Sequence, residues 1–62
     1  MLEWKDAKIL IEEARALKYH GTMFERSRIE VIEALQPATL TPADEKLVIN
    51  IYRKAAGFWN RG

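Results

Sequence analysis

Apolar and polar positions along the chain fall into three segments, each with a helical period. From Leu2 to Tyr19, Ala7, Leu10, Ala14 and Leu17 recur at 3-4-3 spacing with Ile11 beside them, which predicts a helix with one apolar stripe. His20-Gly21 then stops it, since glycine adopts the left-handed cap conformation and a basic residue suits the negative helix end. Thr22 to Glu25 has the form of a capping box. The helix it opens carries Phe24, Val31, Ile32 and Leu35 on the side expected to face the core. Pro37 ends that helix by disfavouring the helical conformation at Gln36, and Arg26 and Glu30 are spaced for a solvent-side pair. Thr41-Pro42-Ala43-Asp44 is the third start signal, with Thr41 as N-cap, Pro42 in the first turn and carboxylates beside the positive helix end. The last helix runs to about Trp59, and Gly57 weakens its final turn by roughly 1 kcal/mol relative to alanine. The expectation is a single all-α domain over residues 1–62, a three-helix bundle or helical-hairpin assembly with helices at about 2–20, 23–36 and 42–59.

The third helix has more apolar surface than one stripe needs. Leu47, Ile51, Ala55 and Phe58, with Val48, form one stripe, and Ile49, Tyr52, Ala56 and Trp59 form a second. A surface helix ordinarily shows a single apolar arc a little over about 100° wide. The first helix also has extra positions, Leu2, Ile9 and Ala16 on another side and Trp4 at the opposite margin. Either the third helix is central and covered by both neighbours, or the second stripe is an exposed patch that binds a partner or a second copy. Tyr52 and Trp59 favour the patch, because tyrosine and tryptophan are enriched among interface hot spots. Arg28 projects into the apolar arc of the second helix, where it either snorkels to water or pairs with a carboxylate across an interface.

Composition strengthens the case for association. With 62 residues, no cysteine and one histidine, the chain lacks the disulfides or metal that stabilise many small scaffolds, which leaves oligomerisation or docking. Ten basic against nine acidic side chains is too even for the footprint of a dedicated nucleic-acid binder. The C-terminal third is mildly basic, and Arg53, Lys54 and Arg61 among aromatics make a small nucleic-acid-associated module the alternative reading. Met1 to Asp6 has no cationic start followed by an apolar run, so a signal peptide is not expected and a cytoplasmic setting is. The longest apolar run, Ile9-Leu10-Ile11, is far short of the ~20 residues of a membrane span.

Candidate chemistry is sparse. The lone serine, Ser27, lies inside the second helix and the lone histidine, His20, at the end of the first, with no third group to orient a nucleophile and base. Glu12-Glu13, Glu30-Glu33 and Asp44-Glu45 fall on polar faces or at a helix start, and His20 with Glu25 is too few ligands for a metal. The glycines at 21, 57 and 62 form no phosphate loop. No catalytic residue, metal, cofactor or small-molecule substrate is expected. Phe24 to Lys54, with its turn ending Leu40-Thr41-Pro42 and its close on Ile51-Tyr52-Arg53-Lys54, is similar in pattern to helical hairpins of small phage and bacterial proteins, several tied to DNA metabolism. The glutamine such hairpins often carry early in their second helix is replaced by Asp44 or Glu45, and the likeness assigns no family. The reading is a non-enzymatic interaction protein, a phage-type inhibitor or adaptor that occupies a partner's surface, or pairs as a homodimer. The residues expected at the contact are Trp4, Ile49, Tyr52, Ala56, Trp59 and Arg28.

Overall fold

A computed structural model describes residues 1–19 and 21–61, with residues 58–61 given by their backbone. The order is α1 (Trp4–Ala16), α2 (Met23–Leu35) and α3 (Pro42–Arg61), an all-α three-helix bundle. Among the described residues β pairing is limited to one isolated antiparallel bridge between Glu3 and Thr39.

Both ends of α1 fall inside the expected bounds of 2–20, for identifiable reasons. At its start, Leu2 and Glu3 are drawn into the loop before α3. The Leu40 N–H donates to the Leu2 carbonyl at 2.9 Å, and the Trp4 N–H donates to the Ala38 carbonyl at 3.1 Å. Glu3 offers no side-chain cap, so a carbonyl of the loop satisfies one of the orphan amides of the first turn. At its end, the Lys18 N–H reaches the Arg15 carbonyl at 2.8 Å and the Tyr19 N–H the Ala14 carbonyl at 3.1 Å. These two bonds make a Schellman motif, with Lys18 rather than glycine in the left-handed position (φ 64°).

The other caps form as expected. The Thr22 hydroxyl accepts from the Glu25 N–H at 3.2 Å, and a Glu25 carboxylate oxygen accepts from the Thr22 N–H at 2.9 Å. The Thr41 hydroxyl accepts from the Asp44 N–H at 3.2 Å. Helix α2 ends at Leu35, where Gln36 turns to φ 45° ahead of Pro37.

Helix α3 is the shared support. Both α1 and α2 pack on it, and their backbones do not approach one another. The buried apolar side chains are Ala7, Ile11 and Ala14 of α1, Ile29 and Ile32 of α2, Leu40 of the loop, and Val48, Ile51 and Ala55 of α3. The alanines at the α1–α3 contact let those two backbones lie close, while isoleucines hold α2 further off. Trp4, Leu10, Leu17, Tyr19 and Leu47 are half-buried around this core.

The two internal glycines have opposite roles. Gly57 is exposed, and a Cβ there meets nothing within 4 Å. Gly21 has φ +77°, and a Cβ would stand 2.9 Å from the Glu25 Oε1 that closes the capping box. Gly57→Ala is therefore expected to stabilise the chain by about 1 kcal/mol, and Gly21→Ala to destabilise it by about 1–2 kcal/mol. Denaturant unfolding checks both, and changes of the same sign would contradict this backbone.

Candidate partner-binding surface

Helix α2 has two apolar sides, and the core takes the smaller one. Glu25, Ile29 and Ile32, at i, i+4 and i+7, are buried. Phe24, Val31 and Leu35 lie about 100° round the helix and are exposed, Phe24 at 72% and Leu35 at 69%. This corrects the expectation that Phe24, Val31, Ile32 and Leu35 share the core side; Ile32 alone of the four is inside. Met23 is exposed at the start of the same helix. Contiguous large apolar side chains left in water mark interaction sites more often than chance packing.

Two ion pairs to α3 fix this rotation. The Arg28 guanidinium donates from Nε and Nη2 to the two carboxylate oxygens of Asp44, at 2.7 and 2.9 Å. The Lys54 ammonium donates to Glu25 Oε2 at 3.2 Å, while Oε1 holds the Thr22 amide. Both carboxylates are buried and satisfied, the condition under which a charged group is tolerated inside. The hydrogen bond from Arg28 holds the Asp44 carboxyl below its ordinary value, against the opposing effect of burial. Burial pushes Glu25 up, but the Thr22 amide and Lys54 outweigh it and leave Glu25 low as well. A third pair joins α1 to α2 in the open, where Arg15 donates from both Nη atoms to the two carboxylate oxygens of Glu33 at 3.0 and 2.9 Å. Arg26 and Glu30 are exposed but form none of the ion pairs among the described residues; both border the groove between α1 and α2.

The structure treats the sequence-predicted contact residues differently. Ile49, Tyr52 and Ala56 are each half-buried. By projection they share a flank of α3 with Glu45, whose carboxylate accepts the Leu2 N–H at 3.0 Å. Trp4 packs against the core. Arg28 finds its carboxylate within the chain. Arg53 and Lys54 are exposed on the outer side of α3, Lys54 being shared with Glu25. The side chains of Trp59 and Arg61, and His20 altogether, lie outside the described residues.

Other sites are less developed. The groove between α1 and α2 has a floor of Ile11, Ala14, Ile29 and Ile51 and a volume of about 150 Å³, below the ~300–1,000 Å³ usual for small-molecule pockets. Among the described residues no three His, Cys, Asp or Glu side chains gather to hold a metal, and no helix is long and apolar enough to cross a membrane. No protein family model, curated protein or solved structure matches the chain.

Both buried carboxyls titrate lower in the folded chain than in the unfolded one. Their contribution to stability is therefore complete above the unfolded carboxyl values, near 3.8 for Asp44 and 4.5 for Glu25, and lost as pH falls through the lower folded values. The midpoint of thermal unfolding should fall with acidification through and below that range. Asp44→Asn should lower the midpoint at pH 7 and flatten its pH dependence. An unchanged acid limb in the variant would show that the Arg28–Asp44 pair does not hold α2.

Proposed function

We propose that the protein is a non-enzymatic protein-interaction module, a small inhibitor or adaptor of the phage type, which occupies a partner's surface with the outer side of α2. The observation that carries this reading is the exposure of Phe24 and Leu35 with Val31 between them. A module of this kind presents a rigid helix side, and the caps at Thr22 and Thr41 hold that side in shape before binding, which lowers the ordering cost of association. Burying the three side chains yields at most about 5–9 kcal/mol, against an association cost of roughly 4–15 kcal/mol. Further contacts beside α2 are therefore required. The phage-type assignment rests on size and form, and the cytoplasmic setting on composition; both belong to the proposal.

The reading favours Phe24, Val31 and Leu35 over the expected Ile49, Tyr52, Ala56 and Trp59, because Ile49, Tyr52 and Ala56 are half-buried while the α2 side chains are exposed. A homodimer through α2 is one form the interaction can take. The second reading, a nucleic-acid-associated module using Arg53, Lys54 and Arg61, draws on the exposure of Arg53 and Lys54, but it leaves the apolar side of α2 without a use.

Affinity capture with wild type beside Phe24→Ser/Leu35→Ser and Tyr52→Ala/Trp59→Ala variants tests the reading. The expected outcome is a protein held by wild type and by the second variant, and lost from the first, with thermal midpoints confirming that each chain is folded. Loss from the Tyr52/Trp59 variant alone would return the contact to α3. Identical captures from all three would overturn the reading.

A further inference from the structure

The outer side of α3 is cationic along its described length. Lys46, Arg53 and Lys54 are exposed there with Ala43, Asn50 and Gly57, and no acidic residue shares that side. Neither Lys46 nor Arg53 enters an ion pair among the described residues. The two pairs that fasten α2 add to the same sign. Their carboxylates, on Asp44 and Glu25, are each 10% exposed, while the side chains of Arg28 and Lys54 are 40% and 54% exposed. The negative ends lie beneath and the positive ends face outward.

Lys54 brings this side up to α2, where its ammonium bonds Glu25, the residue after Phe24, at 3.2 Å, and Arg28 borders the apolar stripe. On the surface of α2 its neighbours are Phe24 one turn before, Val31 one turn after and Leu35 two turns after, and its guanidinium bonds across to α3 at 2.7 Å. Through Lys54 the cationic side of α3 adjoins α2 at the start of its apolar stripe. The exposed acidic residues of the helices lie away from them, Asp6, Glu12 and Glu13 on α1 and Glu30 beside the groove that faces α1.

Building on the interaction reading above, we infer that the occupant of this face is an amphipathic helix of another protein, apolar on one side and rich in Asp or Glu along the margin that meets α3. Phe24 to Leu35 spans about three turns, or roughly 16 Å, a length that a helix laid alongside α2 covers with an i, i+3/i+4, i+7 stripe. Its acidic margin then meets Lys46, Arg53 and the outward ends of Arg28 and Lys54. A second copy in antiparallel pairing fits less well, because that two-fold sets the cationic margin of one chain against the same margin of the other. A nucleic-acid backbone matches the charge but leaves Val31 and Leu35 uncovered.

The test is selection of a displayed library of helix-forming peptides, randomised on every side, on the full chain, with counter-selection on the Phe24→Ser/Leu35→Ser variant. Enriched peptides are expected to combine the apolar stripe with an excess of Asp and Glu on one margin. Their affinity is expected to fall about tenfold or more on Lys46→Glu/Arg53→Glu, two exposed positions outside the folding pairs, and to weaken with added salt. Enrichment of neutral or basic peptides would overturn the acidic-helix chemistry while leaving α2 a docking face. No enrichment over the counter-selected variant would overturn both. Two further measurements, on wild type and both variants, complete the experiment. A dimer in sedimentation that the Phe24/Leu35 variant abolishes would assign the face to a second copy instead. Oligonucleotide binding that survives in that variant and disappears in the Lys46/Arg53 variant would assign the cationic side to nucleic acid; either result overturns the proposal.

Discussion

Glu25 divides its carboxylate between the Thr22 amide at 2.9 Å and the Lys54 ammonium at 3.2 Å, and the rotation of α2 on α3 follows from that division. A capping glutamate is ordinarily a surface group. Here it points inward, and Gly21 leaves the space for it. With Glu25 on the inner side, helical geometry places Ile29 and Ile32 there as well and turns Phe24, Val31 and Leu35 outward. Arg28, at the border between the two sides, closes the arrangement by reaching Asp44. Opposite rotation would bury three large apolar side chains but leave both carboxylates and their cations without these bonds.

The fold can sustain so exposed a face because stability is distributed unevenly. Helix α1 lies close to α3 through Ala7, Ala14 and Ala55, and its entry is tied to the loop before α3 by the bonds of Leu2 and Trp4. Helix α2 contributes two isoleucines to the core and relies on polar fastening for the rest. A 62-residue chain has little interior to share, and α3 already uses two flanks on its neighbours. The apolar content that looked excessive for three helices is thus resolved in two parts. On α3 the second stripe is half-buried at Ile49, Tyr52 and Ala56, and on α2 the surplus faces water.

Helix number, caps and the inner stripe of α1 were legible from local pattern, because spacing and capping chemistry act within a few residues. The capping box at Thr22 and the N-cap at Thr41 needed no tertiary information. The rotation of α2 did, since it depends on Glu25 meeting Lys54 twenty-nine residues away and Arg28 meeting Asp44 sixteen away. One signal was present all the same: an arginine projecting into the centre of a supposed core side marks that side as outward. The shortened α1 had weaker signals. Bridge pairing of residues 2–4 with 38–40 leaves no periodic trace, and Lys18 stands where glycine would have announced the helix end.

The central claim, that α2 presents Phe24 and Leu35 to solvent and Ile32 to the core, is open to direct measurement because the chain has no cysteine of its own. Single-cysteine variants Phe24→Cys, Leu35→Cys and Ile32→Cys, each shown to be folded, can be labelled with a thiol reagent in dilute protein without a partner. The account predicts that positions 24 and 35 react within a few-fold of a free thiol, and that position 32 reacts about a hundredfold or more slowly, limited by opening of the fold. Protection at positions 24 and 35 equal to that at position 32 would contradict it.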